Sequence, residues 1–170
     1  MTDLSENGSV SLPRHLAAGR VNTPIVSMKR YLGDMPEYTI SLKRDDMTGV
    51  ELSGNKIRKL DFLMQEALDQ GASHIITCGG LQSNHCRAAA YLAVQQGLKP
   101  VLLLRGSEPE IQYGNYFLDR LCGAEIEFVT PEQYERADEI MREYAGNHAG
   151  TFYVIPEGGS NATGAWGYIR

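Results

Sequence analysis

"HIITCGGLQSNHCRAAAYLAV", residues His74 to Val94, decides how this chain is read. An apolar, β-branched run ends in paired glycines, and after a polar stretch an alanine-rich helical pattern follows. Between them stand Gln82, Ser83, Asn84 and His85. Packing alone does not ask for four polar residues where a buried strand turns into a buried helix. The stretch therefore fixes a strand–turn–helix unit and marks its joint as a place for chemistry.

Outward from this joint the pattern repeats. "SGNKIRKLDFLMQEALDQG" places Ile57, Leu60, Leu63, Met64, Ala67 and Leu68 on one helical face and stops at Gly71. After the opening unit come strand "KPVLLLR", helix "QYGNYFLDRLC", strand "AEIEFVT" and a helix over 131–147 with Pro131 at its start. Strand "TFYVIPEGG" and a final helix, "NATGAWGYIR", complete the series. Strands alternating with helices imply a parallel sheet, and "IIT", "VLLL" and "FYVI" are apolar on both faces, as strands covered from both sides are. The expected fold is α/β, a three-layer open parallel sheet over about 53–160. Upstream, "EYTISLKRDDMTG" alternates around Tyr38, Ile40 and Leu42 as a strand and turn do, and residues 1–35 carry little periodicity and a mobile start.

Composition narrows the function classes. The chain has 170 residues and a formal net charge of −5, which argues against non-specific binding to nucleic acid or anionic membranes. No apolar run approaches the ~20 residues that span a bilayer. The polar, acidic N-terminus lacks the regions of a secretory signal, which points to the cytoplasm. Cys78, Cys86 and Cys122 are three cysteines without CxxC spacing, the inventory of a reduced compartment. The triplet at Asn161 formally matches a glycosylation acceptor and is read as chance.

Ligands of open parallel sheets bind outside the carboxyl ends of the strands, where the opening stretch lies. GxGxxG, the P-loop pattern and GxSxG are all absent, and no His/Cys or carboxylate cluster supports a metal. The four histidines are dispersed and read as structural or surface residues. What remains is Ser83 and Asn84 at a helix N-terminus, a natural receptor for a carboxylate. The plainer alternative is that Ser83 or Asn84 only caps the helix. Lys56 adds a second element: it sits in the first turn of the preceding helix, after Gly54 and Asn55. The positive end of the helix dipole opposes an ammonium there and favours the free amine that Schiff-base chemistry requires. Arg58 and Lys59 beside it read as solvated surface charges.

"SLKRDD", "SGNKIRKLDFL" and "GGLQSNHCRAAA", taken together, resemble the pyridoxal-phosphate enzymes of the tryptophan-synthase-β type, fold type II. More narrowly they resemble the D-cysteine desulfhydrase and 1-aminocyclopropane-1-carboxylate deaminase subgroup, from about Thr23 through "FYVIPEGGSNATGAWGY". The resemblance implies pyridoxal 5'-phosphate as cofactor and Lys56 as Schiff-base lysine and proton carrier at the substrate α-carbon. It implies that Ser83 contacts the substrate carboxylate and assists as nucleophile or proton carrier. Asn84 hydrogen-bonds the cofactor's phenolic oxygen, His85 closes the carboxylate site through its backbone, and Asn55 lines the cofactor. With D-cysteine the products are pyruvate, ammonia and sulfide; the cyclopropane substrate gives an oxobutanoate. "QSNH", rather than a Gln after the Asn, favours the desulfhydrase. The resemblance also implies a homodimer and a division into 1–52, belonging to the larger cofactor domain, 53–160, the small domain, and 161–170, the start of a return into the larger domain.

Family members are about twice as long, and their further half holds the phosphate loop, the partner of the pyridine nitrogen and tyrosines near the substrate. "EGGSNATG" looks like such a loop but matches an interdomain segment, so a strand-to-helix turn is expected there. The chain reads as a fragment or truncated product with weak or no catalysis of its own. Two other classes stay open: a non-catalytic interaction subunit, and an anion-binding α/β domain without cofactor.

Overall fold

The structure, a computed structural model, describes residues 11–29, 33, 37–49 and 54–169. Of the mobile start expected within residues 1–35, residues 1–10 lie outside the described residues. Strands β1 (Ile25–Ser27) and β2 (Ser41–Lys43) form an antiparallel pair, Ile25 opposite Lys43. The main sheet is built from β3 (His74–Gly80), β4 (Lys99–Arg105), β5 (Glu125–Val129) and β6 (Phe152–Val154), in the order β5-β4-β3-β6 and parallel throughout. The helices are α1 (Lys56–Asp69), α2 (Asn84–Gln95), α3 (Gly114–Leu121), α4 (Pro131–Tyr134), α5 (Ala137–Asn147) and α6 (Ala162–Ile169).

Alternation along the strands builds the layers. Ile75 of β3 packs with α1 and α2, and Leu102 and Leu104 of β4 pack with α2 and α3. The residues between them, Ile76, Cys78, Val101 and Leu103, meet Ala137 and Met141 of α5 on the opposite face. The central strands β3 and β4 are apolar on both sides because both sides are covered, as the sequence predicts for a parallel sheet, whereas the edge strand β5 exposes Glu125 and Glu127. The chain leaves β3 towards β4 on one side, and β6 returns on the other. The carboxyl end of β3 is therefore the point where the winding reverses, the usual position of a ligand crevice.

Three expectations change. Only Ser41–Lys43 of the stretch around Tyr38, Ile40 and Leu42 is strand, these three side chains are exposed, and Asp45–Met47 form a 3-10 turn. The helix expected over 131–147 is two helices, because Arg136 leaves helical geometry at φ −112° and ψ 26°. Thr130 closes a capping box with Gln133 at the start of α4, and the Tyr134 ring lies 5.1 Å beneath the Arg105 guanidinium. Arg58 is not a solvated charge. It is buried at 6% exposure and gives Asp45 a bidentate pair, Nε to Oδ2 and Nη2 to Oδ1, both at 2.8 Å. Arg58 holds the Asp45 carboxyl below its ordinary range, through the hydrogen bond first and its charge second. The pair ties α1 to the segment after β2.

Helix α6 lies against α1 at backbone distance. A methyl group at Gly167 would stand 2.3 Å from the Arg58 carbonyl oxygen and 2.7 Å from the Lys59 nitrogen, and backbone cannot swing aside as a side chain can. We expect Gly167→Ala to cost about 2 kcal/mol, lowering the thermal midpoint by about 4–8 °C in a melting experiment. An unchanged midpoint would mean that α6 is not seated on α1.

Candidate active site

The joint between β3 and α2 is built by close approach. At Gly79 a Cβ would sit 2.6 Å from Cys86 Sγ and 2.7 Å from Ser83 Cβ, so only glycine lets α2 start this close to the strand. Ser83 is the N-cap, its Oγ accepting from Cys86 N–H at 3.2 Å. The capping alternative is thus realised by Ser83 and not by Asn84. Capping uses one lone pair of the hydroxyl and leaves its proton to donate outward. The N–H groups of Asn84 and His85 follow in the first turn, where a helix supplies no acceptor, and they favour a negative ligand.

Lys56 opens α1 and is half-buried; Asn55 precedes it with helical backbone angles and no capping bond. Lys56, Ser83, Asn84 and His85 border one cleft of about 610 Å³, within the range of small-molecule sites. The far wall is the turn after β6: Glu157, Gly158 and Ser160. Gly158 has φ +63°, and a Cβ there would come within 3.9 Å of Lys56 Nζ. Lys59, one turn further along α1, is half-buried and donates to Ser160 Oγ at 2.9 Å. Burial, and then the charge of Lys56, lowers its pKa. Like Arg58, it is engaged rather than merely solvated.

His85 differs most from its expected use. Its ring is 3% exposed, with Nε2 2.9 Å from Thr77 Oγ1. Thr77 donates its own proton to the Ile155 carbonyl at 2.9 Å, so the network assigns the imidazole proton to Nε2. Nδ1 is buried without a hydrogen-bond partner among the described residues. Burial first, then Lys56 and Lys59, push the imidazole down to about 4, so it stays neutral near pH 7. The ring thus braces β3 against the turn after β6, while the His85 backbone N–H remains at the mouth of the helix.

Asn55 directs its amide elsewhere: Nδ2 donates to Tyr168 Oη at 2.8 Å, and Asn55 is not among the residues lining the cleft. The structure thus brings Lys56, Ser83, Asn84 and His85 together and sets Asn55 beside them, its side chain bonded to Tyr168 of α6. Residues the sequence reading did not single out are Glu157, Gly158 and Ser160 in the wall, Thr77 behind His85, and Asn115, whose Nδ2 reaches Asn84 Oδ1 at 2.9 Å. The available signal was positional: polar residues after the last apolar residue of β6 belong to the same sheet edge as "QSNH".

The donor set fits pyridoxal phosphate. It offers one amine for its aldehyde, an amide N–H for a phenolic oxygen, and a hydroxyl with helix N–H groups for a substrate carboxylate. The small Gly158 leaves the space beside the amine open.

Comparison with known proteins agrees. The family model described as pyridoxal-phosphate dependent enzyme matches residues 16–170. A Thermotoga maritima protein, named provisionally as a 1-aminocyclopropane-1-carboxylate deaminase, is 54% identical over 154 residues, covering 87% of this chain and 48% of that protein. The bifunctional D-cysteine desulfhydrase/1-aminocyclopropane-1-carboxylate deaminase, mitochondrial, of Arabidopsis thaliana is 43% identical over 171 residues, 94% of this chain and 42% of its own. Among solved structures, an ACC deaminase homologue superposes with a TM-score of 0.72 at 38% identity, covering 87% of this chain and 46% of that one. The chain therefore spans about half the length of the relatives it matches. No helix among the described residues is long and apolar enough to cross a membrane. The chain belongs to the family of pyridoxal-phosphate dependent enzymes.

Proposed function

We propose that this chain carries the lysine-bearing half of a pyridoxal-phosphate-dependent lyase acting on a small amino acid, with D-cysteine as substrate. The observation that carries the reading is the convergence of Lys56, Ser83 and Asn84 on one cleft at the reversal point of the sheet. When bound, the cofactor supplies an electron sink conjugated to the substrate α-carbon. Lys56 would hold the cofactor through its amine and would serve as the base that takes the substrate α-proton. Ser83 donates its hydroxyl proton to the substrate carboxylate, and the N–H groups of Asn84 and His85 complete that anion site. Asn84 Nδ2 would donate to the cofactor's phenolic oxygen. Asn55, hydrogen-bonded to Tyr168, supports the start of α1 from outside the cleft. Loss of the α-proton and of the thiolate from D-cysteine, followed by hydrolysis, gives pyruvate, ammonia and sulfide.

The preference for D-cysteine over 1-aminocyclopropane-1-carboxylate rests on His85 following Asn84. In the test, a full-length enzyme carrying this half and supplied with pyridoxal phosphate is given each compound separately. Sulfide and pyruvate from D-cysteine, with the cyclopropane inert, is the expected result; oxobutanoate from the cyclopropane alone overturns the substrate assignment. Our reading further includes a cytoplasmic homodimer, with residues 1–52 and 161–170 belonging with the larger cofactor domain. Exposed Ile25, Ile40 and Leu42 supply apolar surface for such pairing, and sedimentation at a monomer mass would remove the homodimer from it.

A further inference from the structure

Gln82 and Asn84 are held by a segment 31 to 33 residues away, at the start of α3. Asn115 N–H donates to Gln82 Oε1 at 2.8 Å, and Gln82 Nε2 donates to the Tyr113 carbonyl at 3.1 Å. Asn115 Nδ2 donates twice, to the Gln82 carbonyl and to Asn84 Oδ1, both at 2.9 Å. Gly114 between them has φ +59°, and a Cβ there would stand 2.3 Å from Gln82 Oε1. Glycine is the residue that permits this clasp.

The clasp carries directional information. A backbone carbonyl only accepts, so the Gln82 carbonyl fixes Nδ2, and not Oδ1, of Asn115 on that side. The second hydrogen of Nδ2 then needs an acceptor, and Asn84 must present Oδ1 to it. The Asn84 amide is thereby set in one of its two orientations. Its own Nδ2 makes no hydrogen bond among the described residues, and Asn84 borders the cleft. A freely turning asparagine would offer the cleft a donor or an acceptor; this one offers a donor. A phenolate oxygen needs a donor and is repelled by a carbonyl.

We infer that Asn115 is a positioning residue that, through its hydrogen bonds to the Gln82 carbonyl and Asn84 Oδ1, locks the Asn84 amide with Nδ2 facing the cleft. The use of that donor rests on the proposed cofactor role of Asn84; the orientation itself does not.

Hydrogen exchange of side-chain amides, read by NMR on the ligand-free chain, tests the orientation. In the native chain the Asn115 Nδ2 hydrogens exchange slowly and those of Asn84 rapidly; the reverse order overturns the inference without any variant. In Asn115→Asp the carboxylate only accepts, so Asn84 turns to donate to it and its Nδ2 hydrogens exchange roughly tenfold more slowly. Unchanged Asn84 exchange in a folded variant overturns the inference as well. A double-mutant cycle on pyridoxal phosphate retention then separates the two claims. If N115D lowers retention no further once Asn84→Ala is present, the two residues act through one donor, as inferred; additive losses mean that Asn115 acts only by holding the loop. If N84A leaves retention unchanged while N115D still slows Asn84 exchange, the orientation stands and the cofactor role of Asn84 falls.

Discussion

Alanine at Lys56 is expected to abolish covalent capture of pyridoxal phosphate. Borohydride reduction of the native chain in the presence of the cofactor fixes one pyridoxyl phosphate, and peptide mass analysis locates it at Lys56. The competing amine is Lys59, which lies one turn along α1, is half-buried, and has its pKa lowered by burial and by Lys56. Lowered basicity gives Lys59 more free amine and argues for it as the nucleophile. Geometry decides otherwise: the Lys59 ammonium donates to Ser160 Oγ at 2.9 Å, whereas Lys56 borders the cleft with Ser83 and Asn84. Lys56→Ala therefore loses the label completely, and Lys59→Ala keeps it on Lys56. A label that moves to Lys59, or that survives in Lys56→Ala, sinks the assignment. The outcome also separates the enzyme reading from an anion-binding domain, in which neither lysine is labelled.

The layers of the fold were legible because burial on both faces imposes long apolar runs, and β3 and β4 carry them. The joint was legible because four polar residues in succession break such a run. What each does was less so. Ser83 as cap and Lys56 as cleft lysine are local consequences of helix starts, which spacing reveals. Arg58 was misread because charge alone looks solvated; only Asp45, from another element, makes it a buried ion pair. Gln82 has no local rationale, since its partners are Tyr113 and Asn115. Thr77 looks like any β-branched strand residue until His85 and Ile155 are placed around it. Such contacts between distant segments are fixed by packing, and sequence pattern does not encode them in one window.

Asp119→Asn is expected to stabilise the chain above pH 7. Asp119 lies on α3 at 0% exposure, and neither carboxylate oxygen has a hydrogen-bond partner among the described residues. Arg87 of α2 attracts its charge, and the thiols of Cys86 and Cys122 stand near it. Desolvation outweighs Arg87 and raises the carboxyl from 3.8 to about 7. The sign follows from proton binding. Between these two values the native chain holds a proton that the unfolded chain has released, so stability falls as pH rises from about 4 to about 7. Above that window the full cost is present, on the order of 4 kcal/mol at most. Asparagine keeps the shape and removes the ionisation, although its amide inherits a site without partners and returns part of the gain. Thermal melts at pH 8 should therefore show the variant higher by several degrees, each 1 kcal/mol being worth about 2–4 °C in a chain of this size. The difference should close only as pH falls through about 4, where the unfolded chain's Asp119 carboxyl is protonated as the folded chain's already is. Parallel pH profiles for the two proteins would mean that Asp119 is ionised against Arg87 throughout. In that case α3, which carries Asn115 at its other end, is anchored to α2 by an ion pair rather than by a buried neutral acid.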